Sequence, residues 1–311
     1  MGSKSLLIIG GSGFFGKTIL DYFRSCNSLK INKLIIFSRR ARNIKIDKVL
    51  KKKIKIVRIS GDMLKIKRLP SADYVIYAAI LNNYNRDLKA LKNYLNLAIK
   101  YHLNSKILYI SSGAIYGFQS DKIKKFKENY LEKYKKINFK KGYKKDYSSI
   151  KFKNENLFKK LDYKELKVSI ARCFSFVGPN LPQNSHYVIG NIINNILRNK
   201  NINIKANYKI IRSYMYSDDL VKWLLKILEN SNTRCPIYNV GSDDAVSIHT
   251  LADILAKKYK LKVKKPIKIS NLITDKYIPN IDKAKKNLNL SNILSSYNSI
   301  VKTINIIKAN N

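Results

Sequence analysis

The sequence predicts an α/β fold built on a doubly wound parallel sheet, followed by a smaller, mainly helical region. Three observations carry this prediction. Short apolar runs with strand character recur at residues 5–9, 33–37, 54–58, 74–78 and 106–110. Segments with apolar residues at helical spacing alternate with them, as in Ile19, Leu20 and Phe23 or Leu88, Leu91, Leu95 and Ala98. The first run is followed at once by Gly10-Gly11-Ser12-Gly13-Phe14-Phe15-Gly16. Strands alternating with helices form parallel sheets, because a parallel crossover needs a connection about as long as a helix.

Taken in order, the elements carry chemistry as well as structure. Strand, glycine turn and helix in immediate succession are the context in which a glycine motif holds phosphate. Gly10, Gly13 and Gly16 permit a tight turn, close approach of backbone to a pyrophosphate, and close packing of helix on strand. Ser12, Phe14 and Phe15 complete the turn. The pyrophosphate is expected at the helix N-terminus, where unpaired N–H groups and the helix dipole attract an anion. The stretch reads as a dinucleotide site. The second run ends in Ser38-Arg39-Arg40. An NAD site usually places an acid about 20 residues past the glycines to hold the ribose 2′-hydroxyl. An acid repels a 2′-phosphate, whereas Arg39 and Arg40 attract one and Ser38 donates to it, so NADP is expected rather than NAD.

The third run leads into Gly61-Asp62-Met63, with Asp62 placed to accept from an adenine amino group. The fourth closes on Ala78-Ala79, small enough to let a cofactor lie close. The stripe Leu88, Leu91, Leu95 and Ala98 reads as core or dimer seam. The fifth run passes into Ser111-Ser112-Gly113-Ala114-Ile115-Tyr116-Gly117. Ser112 thus falls at the carboxyl end of a strand, where open α/β sheets bind ligands. Residues 121–145 are Lys-rich and read as a solvated insertion or lid.

Asp146-Tyr147-Ser148-Ser149-Ile150-Lys151 then opens a helix. Tyr147 and Lys151 are four apart and share a face. A phenol ionises near pH ~10, and a neighbouring ammonium favours its ionised form. The pair therefore fits proton exchange with a carbonyl or alcohol oxygen. Spacing alone is weak evidence in a chain with 62 Lys plus Arg and 21 Tyr, and Tyr163 with Lys167 repeats it by chance. The glycine turn and Ser112 upstream set the first pair apart.

Length and composition exclude other classes. With 311 residues and 45% hydrophobic content, the chain buries a sizeable core and is expected to form one or two closely joined domains. No apolar run approaches the ~20 residues of a membrane span. Residues 6–9 are too short for a signal-peptide core, and Leu6 stands where myristoylation wants Ser or Thr. Cys26, Cys173 and Cys235 are scattered without metal spacing and read as buried thiols of a reducing cytosol, so no metal is expected. The formal net charge of +42 would suit a nucleic-acid or acidic-membrane binder. The lysines run through every segment, however, and no recognition motif accompanies them. A chain-wide drift towards Lys, Asn, Ile and Tyr accounts for the charge better, and no nucleic-acid partner is expected.

With the glycine turn, Ser111-Ser112-x-x-Ile115-Tyr116-Gly117 and Tyr147-x-x-x-Lys151 in this order, the chain resembles the extended short-chain dehydrogenase/reductases. Within them it is similar to the nucleotide-sugar epimerase, dehydratase and reductase branch. Further stretches continue the resemblance: Lys151-x-x-x-Glu155, and Ala171-Arg172-Cys173-Phe174-Ser175-Phe176-Val177-Gly178-Pro179 with Ser175 where Asn is commoner. So do Arg212-Ser213-Tyr214-x-Tyr216-Ser217-Asp218-Asp219-Leu220, Tyr238-Asn239-Val240-Gly241-Ser242 and Tyr277-Ile278-Pro279.

The resemblance implies a Rossmann domain over residues 1–179, with residues 237–240 returning a strand to its sheet, and a substrate domain over residues 180–311. It implies that Tyr147 is the general acid/base at a sugar oxygen and that Ser112 hydrogen-bonds the same oxygen. Lys151 would lower the tyrosine pKa and hold the nicotinamide ribose. Arg212 would contact the substrate's nucleotide diphosphate, with Asn191 as a second donor. A homodimer, built on the helix near residues 88–98 and the helix carrying Tyr147, completes what the resemblance implies, and the scattered thiols make a cytoplasmic location the expectation.

Three departures narrow the reaction. The 4,6-dehydratases of the family carry Thr-Asp-Glu where this chain has Ser112-Gly113-Ala114, and Gly113 and Ala114 supply neither acid nor base for moving water. The branch that makes fucose nucleotides by epimerisation and reduction has a cysteine at the position of Ala114 and a histidine in a Ser-His segment. Here Asn184-Ser185-His186 is kept without the cysteine, which leaves His186 as a substrate contact. Finally, Ser38-Arg39 favours a net reductase, which consumes NADPH, over epimerases and dehydratases, which keep NAD bound. The expected activity is NADPH-dependent reduction of a nucleotide-linked 4-keto-6-deoxyhexose, in deoxysugar biosynthesis for surface polysaccharide. An NAD-dependent nucleotide-sugar 4-epimerase is the alternative. The non-enzyme alternatives are an NADP-binding redox sensor and a basic RNA-binding protein on a retired Rossmann fold. Retention of Ser112, Tyr147 and Lys151 together argues against both.

Overall fold

Four consecutive residues, Leu6, Leu7, Ile8 and Ile9, are wholly buried, because strand β1 (Lys4–Ile9) lies inside a parallel sheet whose two faces are both covered. The chain continues through α1 (Phe14–Ser25), β2 (Ile31–Ser38), α2 (Lys48–Lys53), β3 (Lys55–Ser60), β4 (Tyr74–Tyr77), α3 (Tyr84–Tyr101) and β5 (Lys106–Ser112). Next come α4 (Tyr130–Lys133), α5 (Tyr143–Phe158), β6 (Lys167–Cys173), β7 (Phe176–Val177), α6 (Val188–Leu197), β8 (Ile202–Asn203) and β9 (Tyr208–Arg212). After them follow β10 (Met215–Tyr216), α7 (Ser217–Glu229), β11 (Ile237–Val240), β12 (Val246–Ser247) and α8 (Ile248–Tyr259). The last elements are β13 (Val263–Lys264), β14 (Ser270–Tyr277), α9 (Asp282–Leu288) and α10 (Ser296–Ala309). This computed structural model describes residues 4–81, 83–120, 122–133, 143–160, 163–182 and 187–310.

Two compact units are present. One comprises Met1–Ile115, Phe139–Cys173 and Val221–Tyr238, and the other Tyr116–Asn138, Phe174–Leu220 and Asn239–Asn311. The main sheet has seven strands in the order β11-β6-β5-β4-β1-β2-β3. The pairs β1/β2, β1/β4, β2/β3, β4/β5 and β5/β6 all run parallel. Strand order reverses at β1, flanked by β2 on one side and β4 on the other, so a crevice opens beyond the carboxyl ends of those strands. This is the Rossmann arrangement.

One face of the sheet presents Leu7, Ile9, Ile35, Phe37, Val75, Tyr77, Ile107, Tyr109, Val168 and Ile170 to α3 and α5. Period-2 alternation sends these side chains to one side while Leu6, Ile8, Leu34, Ile36, Ile76 and Leu108 go to the other, also buried. From α3 come Leu91, Leu95 and Ala98, each 0% exposed in the single chain. That stripe is therefore core, not seam; Leu88 packs beside it, partly buried. From α5 come Leu157 and Phe158, with Ser148, Ile150, Lys151, Asn154 and Glu155 on the same buried side.

The second unit packs α6 (Ile189, Ile192, Ile193, Ile196), α8 (Leu251, Ala252, Leu255, Ala256) and α10 (Ile300, Ile304, Ile307) around the strand residues Ile202, Ile204 and Ile210. Its three-stranded sheet has the order β12-β9-β14, antiparallel at β12/β9 and parallel at β14/β9. No described helix is long and apolar enough to cross a membrane.

Candidate active site

The glycine turn closes on itself through Gly13 N–H donating to Gly10 O at 3.1 Å, while Gly10 N–H donates to Phe37 O at 2.9 Å. Gly10 has φ +90, a backbone conformation that side chains disfavour. A Cβ there would lie 2.6 Å from Ala79 N, so the Ala78-Ala79 backbone just past β4 is pressed against the turn. A Cβ on Gly16 would come within 2.2 Å of Gly11 O, which seats α1 against the strand end. Gly13 differs. A Cβ there would meet nothing closer than Gly10 O at 3.5 Å, an ordinary contact, so the protein's own packing does not require this glycine. Gly13 is also the N-cap of α1, with no side-chain cap on the first-turn N–H groups. An exposed backbone corner that needs no glycine for packing, at an uncapped helix N-terminus, fits a bound pyrophosphate. Ser12 is exposed beside it, and Phe14 and Phe15 form the first residues of α1, their rings 5.4 Å apart edge to face.

At the end of β2, Ser38 is buried and its hydroxyl has no hydrogen-bond partner among the described residues, while Arg39 and Arg40 are exposed. A buried hydroxyl without a partner is costly, and a polar ligand group would satisfy it. After β3, Asp62 turns the chain by accepting from Leu64 N–H through Oδ1 at 3.0 Å, which fixes the direction of its carboxylate. The Met63 side chain belongs to the core, and its carbonyl accepts from Asn93 Nδ2 at 2.7 Å.

The proton-handling set lies at the ends of β5 and α5. Ser112, 6% exposed, is the last residue of β5, and its Oγ accepts from Ala114 N–H at 3.2 Å. Lys151 is buried and donates from Nζ to Ile110 O at 2.7 Å, which ties α5 to the same strand end. Its ammonium lies 6.0 Å from the Tyr147 ring centroid and 5.1 Å from that of Tyr109. Tyr147 itself is half-buried. Burial pushes the Lys151 pKa down to about 8, while the charges of Asp87 and Glu155 act the other way and favour the ammonium.

Beneath this set lies a network that the sequence did not announce. Arg172 on β6 grips Glu155 with both ends of its fork: Nε donates to Oε1 at 3.1 Å and Nη2 to Oε2 at 2.8 Å. The Ser111 hydroxyl donates to the same carboxylate. Strands β5 and β6 and helix α5 are thereby cross-linked next to Ser112 and Lys151. Glu155 had appeared only as part of a helix motif; its place four residues after Lys151, on the same face, was the available signal.

The residues expected on the substrate lie in the second unit. Arg212 ends β9, and its guanidinium is held by Asp275 on β14, with Nη2 donating to Oδ2 at 2.8 Å and Nη1 to the Asp275 carbonyl at 2.5 Å. Asn191 is exposed on α6. His186 lies outside the described residues. Among the described residues, no group of three or more His, Cys, Asp or Glu is placed to hold a metal ion.

The sequence pattern of the NAD dependent epimerase/dehydratase family matches residues 6–241. A dTDP-glucose 4,6-dehydratase from Bacillus anthracis, solved in complex with NAD, shares the fold with a TM-score of 0.77 at 16% identity, over 99% of this chain and 97% of that one. A UDP-N-acetylglucosamine 4-epimerase from Methanobrevibacter ruminantium, in complex with UDP-N-acetylmuramic acid, gives 0.73 at 21% identity over 100% of both chains. Among curated proteins, UDP-glucuronic acid decarboxylase 1 of Arabidopsis thaliana is 28% identical over 126 residues, which is 40% of this chain and only 28% of the plant protein. At such identities the solved structures speak for the fold alone. The family pattern covers the glycine turn, Ser112, Tyr147 and Lys151 together, and the chain belongs to the NAD dependent epimerase/dehydratase family, the extended short-chain dehydrogenase/reductases.

Proposed function

We propose that the protein is a reductase of nucleotide-linked 4-keto-6-deoxyhexoses that uses NADPH, in deoxysugar biosynthesis for a surface polysaccharide. The observation that carries this reading is the end of β2, where the unpartnered Ser38 hydroxyl is followed by the exposed Arg39 and Arg40. Two guanidiniums and a donor hydroxyl suit a ribose 2′-phosphate, and net consumption of cofactor suits a reductase. Gly113 and Ala114, which follow Ser112, carry no acid or base for a dehydration.

The glycine turn would hold the pyrophosphate, Asp62 the adenine, and Ala78-Ala79 the flank of the cofactor. NADPH, when bound, supplies the hydride. Tyr147 then gives its proton to the sugar carbonyl oxygen, which Ser112 steadies by a hydrogen bond. The Lys151 ammonium favours the phenolate left on Tyr147 and would hold the nicotinamide ribose. Arg212, its fork pre-set by Asp275, and Asn191 are assigned to the substrate diphosphate, and His186 to the sugar. The working assembly on this reading is a cytoplasmic homodimer. A second reading, an NAD-dependent nucleotide-sugar 4-epimerase, is favoured by the fact that Ser112, Tyr147 and Lys151 serve that reaction equally well.

The test is a cofactor titration of the purified protein with NADPH and NADH over a pool of dTDP-4-keto-6-deoxyglucose. The reductase consumes NADPH stoichiometrically, and Tyr147→Phe lowers the rate by about 100-fold or more. Arg39→Glu shifts the NADPH/NADH preference by about 10- to 100-fold, the worth of one charge-assisted phosphate contact. Co-purification of NAD with no consumption of reduced cofactor would overturn the reductase reading in favour of the epimerase.

A further inference from the structure

Asp87 stands in the first turn of α3 and is only 4% exposed. Its Oδ1 accepts from Leu81 N–H at 2.9 Å and its Oδ2 from Asn83 N–H at 3.2 Å. Both donors belong to the segment that joins β4 to α3 and begins with Ala78-Ala79. At the other end of that segment, Ala78 N–H donates to Ile9 O at 2.8 Å, and Ala79 lies against Gly10. The carboxylate therefore clamps the far end of the backbone that packs on the dinucleotide turn.

Its charge points to a second task. Helix α3, which carries Asp87, packs along α5, where the buried Lys151 ammonium lies 5.1 Å from the Tyr109 ring and 6.0 Å from that of Tyr147. It is within reach of the charges of Asp87 on α3 and Glu155 on its own helix and of the Cys173 thiol on β6. Of these groups Asp87 does most to favour the ammonium, whereas the charge of Glu155 is answered by Arg172 through a two-pronged ion pair. The same carboxylate acts on Tyr77 of β4, whose phenol burial and the Asp87 charge together hold in its neutral form.

We propose that Asp87 is a positioning residue of the reaction: it pins the cofactor-side segment at Leu81 and Asn83, and it supplies the negative charge that keeps Lys151 an ammonium beside Tyr147. This rests on the reading of Tyr147 and Lys151 as the proton-handling pair, but not on the identity of the sugar. The test follows Lys151 directly, by NMR titration of the full-length protein labelled with 13C at lysine Cε. Lys151 is the resonance that titrates near pH 8 and is missing in Lys151→Met. Asp87→Asn is expected to lower that midpoint by about one unit, and Asp87→Glu, which keeps the charge, to leave it within about 0.3 unit of the parent. Fluorescence titration with whichever reduced cofactor binds the parent, NADPH or NADH, is expected to show several-fold weaker binding to Asp87→Asn.

An unmoved midpoint in Asp87→Asn, or a midpoint in Asp87→Glu lowered as far as in Asp87→Asn, would overturn the electrostatic role. Unchanged affinity for that cofactor would overturn the clamp. If Asp87→Asn does not fold, Asp87→Ser, which also removes the charge, takes its place with the same expected fall in the midpoint. Neither readout uses a sugar, so failure of the reductase reading and failure of this inference are told apart.

Discussion

Arg172→Met isolates what the buried ion pair contributes. The side chains of Arg172 and Glu155 are 4% and 1% exposed, and the Nη2–Oε2 contact is 2.8 Å. Removing the guanidinium leaves a carboxylate in the core with the Ser111 hydroxyl as a partner. An uncompensated buried charge of this kind costs about 3–5 kcal/mol, and Glu155→Gln, which strands the guanidinium instead, falls in the same range. The double variant Glu155→Leu/Arg172→Met removes both charges and is expected within about 1 kcal/mol of the parent or above it, giving a coupling energy of about 5 kcal/mol or more. Trp223, the one tryptophan of the chain, is wholly buried in the first unit and reports its unfolding in urea. With a slope of about 3 kcal/mol per M, each single variant lowers the midpoint by about 1–1.7 M. If the singles move it by less than about 0.3 M, or if the double variant loses the sum of the two, the pair is not a buried, isolated couple and the reasoning fails.

The glycines and the lysine give two further predictions. Gly13→Ala introduces a Cβ that meets only Gly10 O at 3.5 Å, so melting temperature is expected to hold while NADPH affinity falls about tenfold or more. Gly16→Ala drives a Cβ to 2.2 Å from Gly11 O, so the melting temperature itself is expected to drop; equal behaviour of the two variants would refute the assignment of Gly13 to the ligand. For Lys151, the folded pKa of about 8 lies below its ordinary 10.5, so between those values the unfolded chain binds more protons and stability rises with pH. The burial penalty is full below pH 8 and relieved towards pH 10.5, on the order of 3 kcal/mol. Lys151→Met is therefore expected to be more stable than the parent at pH 7, with the gap closing by pH 10; a gap that does not close refutes the buried ammonium.

Much of the candidate site was legible because its signals are local. A glycine turn between a strand and a helix, alanines at a strand end, and a Tyr and Lys four apart are patterns of neighbouring residues, fixed by backbone geometry alone. Bounds were less legible: β5 runs on through Ser111 and Ser112, and α1 begins at Phe14 rather than after Gly16. These residues look like loop by composition and are ordered by ladder pairing, as Ser112 is by standing opposite Cys173.

The sequence by itself determined the α/β class, the order of the strands along the chain and the candidate residues for phosphate and proton, since each rests on spacing within a few positions. Tertiary structure alone decided which charges meet. Arg172 reaches Glu155 across 17 positions, Ser111 reaches it across 44, and Arg212 finds Asp275 across 63. In a chain with 62 basic residues, nothing in the linear order marks which few are buried and paired. Burial decided the rest: Met63 and the Leu91, Leu95 and Ala98 stripe went to the core, and Asp87, one acid in a helical stretch, became the clamp of the segment before it. Desolvation makes such placements consequential, because a charge removed from water must be answered by the neighbours that folding brings to it.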